Sequence, residues 1–78
     1  RQASSAHGYV VMHLLNTFIT LLKASKTQAY ICAAVGTQLR CIKQYHQGHD
    51  IFLNDVDRAR FNEHIAELER LVQACDIA

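Results

Sequence analysis

The chain has no proline and no tryptophan, only three glycines and one methionine, and not a single acidic residue ahead of Asp50. Each shortage excludes something. Sandwiches and barrels need many tight turns, so a sequence this poor in proline and glycine favours long helices instead. With half its 78 residues apolar, it is not the polar, charged composition of a disordered tail. Its three cysteines, Cys32, Cys41 and Cys75, are odd in number and form no C-x-x-C pair. That pattern leads us to expect no disulfide framework and a reducing, intracellular, cytoplasmic setting.

Long apolar runs are missing as well. The longest, YVVMHLLNTFITLL from Tyr9 to Leu22, is interrupted by His13, Asn16, Thr17 and Thr20 and falls short of the roughly 20 residues a bilayer requires. We therefore expect no membrane association. A glycine-rich phosphate loop, a nucleophile elbow and paired carboxylates are absent too. A chain of this size leaves little room for a pocket of about 300 Å3, so the expectation is a protein that is not an enzyme. The opening RQASSAHG, which starts at Arg1 without methionine, reads as a disordered lead-in or tag remnant over residues 1–8. Residues 9–78 then form a single helical domain.

What is present is a divided charge and three helical periods. Residues 1–49 carry Arg1, Lys23, Lys26, Arg40 and Lys43, for +5; residues 50–78 set seven carboxylates against Arg58, Arg60 and Arg70, for −4. The two parts should attract each other. At about 100° per residue, Val10, Val11, Met12, Leu14, Leu15, Phe18, Ile19, Leu21 and Leu22 cover an arc of roughly 200° on a first helix starting near Tyr9. A surface helix needs a stripe only somewhat wider than about 100°, so this helix is dressed to be covered on two sides.

Ser25 and Gln28 have the spacing of a capping box, which places a break near Ala24 and Ser25; one continuous helix through this point is the competing reading. The second helix, about Lys26 to Gln47, presents Ile31, Val35, Leu39, Ile42 and Tyr45, flanked by Cys32, and Gly48 is expected to close it in the left-handed conformation. Ala29, Ala33 and Gly36 lie together off that stripe, either as a surface for close backbone approach or simply as good helix formers. Ile51, Phe52 and Leu53 should staple the next loop. Asn54 is the expected N-cap of a third helix, with Asp55 and Asp57 complementing its dipole. Phe61, Ile65, Leu68, Leu71, Val72 and Cys75 form its apolar face.

The segment CIKQYHQGHD, Cys41 to Asp50, gathers a thiol, two imidazoles and a carboxylate. His46 and His49 are the weak metal candidates, but they supply half of a tetrahedral site at best, and no cofactor is expected. Cys41 and His46, at i and i+5, point apart on a helix and do not make an activated nucleophile. His64, at the edge of the third helix's apolar face, reads as a partly buried, hydrogen-bonded interface residue. Lys23 with Lys26, and Arg40 with Lys43 near Gln38 and Gln44, are only small basic pairs, so nucleic acid is a possible partner but not the favoured one.

A chain this short adds a disulfide, a metal or a partner to its marginal core. With the first two set aside, a partner remains. The expectation is an all-α, three-helix unit, a helical hairpin plus a third helix, completing a bundle as a homodimer. It would act as a non-catalytic interaction module that also binds a protein partner, in an adaptor, chaperone-like or regulatory role. Val11, Leu14, Leu15, Phe18, Ile19, Leu22, Phe61 and Leu68 are the expected partner or dimer interface. The alternatives are a nucleic-acid-binding regulator and a metal-responsive protein using His46 and His49.

Overall fold

The computed structural model describes residues 3–25 and 29–75. Three helices of equal length follow one another: α1 (Ala6–Ser25), α2 (Ala29–Gly48) and α3 (Asp55–Ala74). The described residues contain no strand. The fold is all-α, and α3 packs against both other helices, more extensively against α1 than against α2, while α1 and α2 touch little. α1 ends at Ser25, and Gln28, the other member of the expected capping box, lies outside the described residues.

α1 begins three residues earlier than its apolar run, and the cause is Ser5. The Ser5 hydroxyl accepts the Gly8 amide at 3.0 Å, satisfying an orphan donor of the first turn, and itself donates to the Ile51 carbonyl at 3.0 Å. Ser4, buried, donates to Asp57 Oδ2 at 2.7 Å. These contacts fall within the stretch expected as a lead-in over residues 1–8. They tie the start of α1 to the loop before α3. Gly8 makes that junction possible, because a Cβ there would stand 2.7 Å from the Ile51 carbonyl oxygen and 3.2 Å from the Phe52 ring.

α3 starts where the sequence places it. Asn54 sits in extended conformation and its Oδ1 accepts the Asp57 amide at 2.8 Å, while Asn54 Nδ2 donates to Asp57 Oδ2 at 3.1 Å. Asp55 and Asp57 lie in the first turn, near the positive end of the dipole. The end of α2 differs from expectation. Gly48 is helical and does not adopt a left-handed φ. Closure falls to His49, whose amide donates to the His46 carbonyl at 3.3 Å and whose Nδ1 lies 3.1 Å from the Tyr45 carbonyl. That second contact holds the proton on Nδ1 and supplies the helix end with the partner a left-handed glycine would otherwise provide.

The core joins Val11, Leu15, Ile19 and Leu22 of α1, Cys32, Val35 and Leu39 of α2, Ile51 and Phe52 of the loop, and Phe61, Ile65 and Leu68 of α3. Of the expected loop staple, Ile51 and Phe52 are buried and Leu53 is exposed. Phe52 stacks obliquely on Phe61 at 4.9 Å between ring centroids, and His46 packs on both rings, at 5.8 and 4.4 Å.

Cys32 and Cys75 form a disulfide that joins the first turn of α2 to the end of α3. This overturns the expectation of no disulfide, and with it the reason for choosing a reducing setting. Spacing along the chain did not show the pair because the antiparallel run of α2 and α3 brings together cysteines 43 positions apart. The marginal core thus has a covalent staple of its own. Charge division also acts inside the chain. Lys23 of α1 meets Glu67 at 2.9 Å and Lys43 of α2 meets Glu69 at 2.6 Å, so both basic helices are drawn to acidic α3.

Candidate functional site

The eight residues expected at a partner interface divide. Val11, Leu15, Ile19, Leu22, Phe61 and Leu68 are buried by the chain's own helices, while Leu14 and Phe18 are half-buried. The larger share of the apolar arc of α1 faces the chain's own α2 and α3. What remains outward is a different set. Val10 is 63% exposed and Leu21 40% exposed, and with Leu14, Thr17 and Ala24 they lie along one line of α1. Their spacing is 4, 3, 4 and 3 residues, the alternation of a seam that meets another helix at a shallow angle.

Chemically this strip is neutral. From Ala6 to Leu22, α1 contains no Lys, Arg, Asp or Glu; His7 continues the line of the strip at its start and His13 lies beside it. Thr17 donates its hydroxyl to the His13 carbonyl at 2.9 Å, so its donor is already used and its methyl is what a neighbour would meet. Thr37 on α2 does the same toward Ala33, at 3.0 Å. An open depression of about 630 Å3, lined by His13, Asn16, Thr17, Thr20, Leu21 and Ala24, runs along one flank of the strip. Its lining holds no carboxylate, thiol or amine, and His13 is the titratable group in it.

The His/Cys segment does not converge. His46 turns into the Phe52 and Phe61 rings with its Nδ1 buried and without a hydrogen-bond partner, whereas His49 stacks flat on Tyr45 at 4.1 Å. His7, from the start of α1, meets the same tyrosine edge-on at 5.3 Å. Cys41 is exposed and carries a free thiol. Among the described residues no group of three or more His, Cys, Asp or Glu is placed to hold a metal ion. His64 is half-buried, and its Nε2 lies 3.2 Å from Asn16 Oδ1; it links α3 to α1 within the chain.

Lys23 and Lys43, one member of each small basic pair, are engaged by Glu67 and Glu69, which lowers the positive potential available to phosphates. Lys26 lies outside the described residues. Gly36 faces α3, where a Cβ would stand 3.5 Å from Val72 Cγ1, while Ala29 and Ala33 are exposed. No described helix is long and apolar enough to cross a membrane.

Sequence reasoning missed the strip as a separate feature because it measured the apolar arc as a whole. The available signal was the heptad alternation of Val10, Leu14, Thr17, Leu21 and Ala24, offset from the core positions Val11, Leu15, Ile19 and Leu22. Compared with known proteins, the chain matches no family model, no curated protein and no solved structure.

Proposed function

We propose that this protein is a small, non-catalytic helical interaction module that presents the outer strip of α1 to another helix. The observation that carries this reading is the strip itself: Val10, Leu14 and Leu21 aligned at heptad spacing, partly or largely exposed, on a stretch of helix without a charge. An apolar line with no ionic competitor for water is the surface that a partner helix covers at least desolvation cost. The remainder of the molecule serves as its mount. The Cys32–Cys75 bond and the Lys43–Glu69 pair fasten α2 to α3, and the Lys23–Glu67 pair ties α3 to α1, in a setting that keeps the disulfide oxidised.

The test is calorimetric titration of the oxidised chain with a synthetic amphipathic helix whose apolar face repeats leucine at the same 4, 3 spacing. Binding that is lost in Thr17→Glu, while the circular dichroism spectrum is retained, is the expected result. A chain that binds no such helix and does not associate with itself refutes the reading.

A further inference from the structure

We infer that the Cys32–Cys75 bond is a reversible, redox-operated clasp: its reduction opens the end of the molecule where α2 begins and α3 finishes, and leaves the opposite end folded. The two ends are held together in different ways.

Where α1 starts, α2 closes and the loop enters α3, noncovalent ties converge. Ser4 donates to Asp57 Oδ2 at 2.7 Å, and the Ser5 hydroxyl and amide both donate to the Ile51 carbonyl, at 3.0 and 3.3 Å. Phe52 and Phe61 are buried and pack on each other and on His46. None of these contacts involves a sulfur.

The other end has less to hold it. α1 and α2 touch little, so the first half of α2 depends on α3 for its place. What α3 offers there is thin: Leu71 and Val72 are half-buried, Gln73 and Ala74 are exposed, and none of the described residues after Leu68 is buried. On the α2 side Ile31 is half-buried, and Gly36 brings no side chain to Val72, whose Cγ1 would stand 3.5 Å from an added Cβ. Cys75 has already left the helix in extended conformation, its amide donating to the Val72 carbonyl at 3.2 Å. The fixed point between the two segments is the bond itself.

Its cleavage has a direction. Cys32 is 1% exposed and Cys75 half-buried, so a thiolate from solvent attacks the sulfur of Cys75, the accessible one. With a dithiol as reductant, the first thiolate bonds to Cys75 Sγ and the S–S electron pair leaves on Cys32 Sγ. The second thiolate then attacks the reductant's own sulfur in the mixed disulfide and releases the Cys75 thiolate. The dithiol is oxidised to a disulfide, and its two protons pass to Cys32 and Cys75. Cys41 takes no part, because nine residues of helix from Cys32 place it about 13 Å along the axis and on the opposite face.

Once the bond is cut, the segments with the fewest buried contacts are the ones that open. Val35, Leu71 and Val72 become exposed between them.

The test is hydrogen exchange of the Cys41→Ser chain when oxidised, after reduction with dithiothreitol, and after reoxidation. Reduction is expected to lower amide protection at least about tenfold over residues 33–37 and 71–75, and less than about threefold over residues 10–16 and 59–65. Reoxidation is expected to restore the first set. A second measurement reads the direction of attack: the oxidised chain, given a limiting amount of glutathione and quenched with iodoacetamide, is expected to carry glutathione on Cys75 and the alkyl group on Cys32.

Protection lost evenly along the chain overturns the clasp, since the bond would then hold the whole fold and not one end. Protection kept at both ends overturns it as well, because packing alone would suffice. An end that stays open after reoxidation overturns its reversibility, and glutathione found on Cys32 overturns the order of attack.

Discussion

Arg58 reaches back from the first turn of α3 to Asp50, eight residues earlier, with Nη2 at 2.8 Å from Asp50 Oδ2. The same nitrogen donates to the Phe52 carbonyl at 2.6 Å, and Nη1 meets Asp55 Oδ1 at 2.6 Å. One guanidinium thus closes the loop that carries the buried Ile51 and Phe52. Asp50 completes the turn by accepting the Phe52 amide at 3.1 Å.

The Arg58 hydrogen bond first, and the Phe52 amide second, hold the Asp50 carboxyl below the usual carboxylate range, while the same pairing raises Arg58 further. Arg58 stays charged at every accessible pH. A depressed folded-state value means that the contribution of Asp50 is complete above the unfolded value and is lost as pH falls through the folded one. The hydrogen bond from Lys23 lowers Glu67 in the same direction. Both carboxylates are solvent-facing, so the effect is modest and screened by salt. Urea midpoints of the native chain should decline from about pH 4 downward, and Asp50→Asn should show a lower midpoint at neutral pH with a shallower acid decline. Parallel curves for the two proteins would show that the pair does not contribute.

The Cys32–Cys75 bond closes a loop of 43 residues in sequence separation. Cross-linking a loop of that length restricts the unfolded chain by about 4 kcal/mol in the chain-entropy account. Cys32→Ser, or reduction of the native chain, should therefore lower stability by about 3 to 4 kcal/mol, a large part of what a domain this small possesses. Cys41→Ser serves as the control, since its thiol is exposed and unbonded, and it should leave the thermal midpoint unchanged. Equal midpoints for oxidised Cys32→Ser and native chains would remove the disulfide from the account of stability.

How far the sequence could be read depended on range. Asn54 as N-cap and the Phe61, Ile65, Leu68 face of α3 follow from neighbours within a turn or two, and both are observed. Ser5 carried a local signal too, a small hydroxyl ahead of an apolar run. It was missed because the polar opening was read as a leader, and its ordering comes from Ile51, 46 positions away. The disulfide was hidden for the same reason. Cys32 and Cys75 each look like small hydrophobes on their own stripes, and only the antiparallel packing of α2 and α3 joins them. On α1 the sequence predicts an apolar arc wider than a surface helix needs. Which positions turn inward depends on where α3 docks, and no local rule states that.

Asn54 is buried as well as capping. Replacing it with alanine removes the acceptor for the Asp57 amide at 2.8 Å and the donor to Asp57 Oδ2 at 3.1 Å. Loss of such a cap costs about 1 kcal/mol, up to about 2 in a buried setting. Asn54→Asp should recover most of the loss as an acceptor but not all of it, since a second carboxylate would then stand beside Asp57. Chemical denaturation of the three proteins at neutral pH checks the order native, Asn54→Asp, Asn54→Ala. An alanine variant as stable as the native chain would show that the cap is dispensable.

Two glycines of the same chain should respond to alanine in opposite directions. At Gly8 the new methyl would press on the Ile51 carbonyl oxygen from 2.7 Å, a backbone atom fixed by the Ser5 hydrogen bonds. It cannot yield without parting α1 from the loop. Overpacking of this kind costs about 1 to 3 kcal/mol, more than the gain in helix propensity, so Gly8→Ala should destabilise. At Gly48 nothing lies within 4 Å of the added carbon, and the residue is helical. There alanine removes conformational freedom from the unfolded chain and should stabilise by about 0.5 to 1 kcal/mol. Thermal midpoints that move in opposite directions from the native value are the expected outcome. A Gly8→Ala protein at or above the native midpoint would mean that the serine-tied opening of α1 does not pack against the loop as the structure has it.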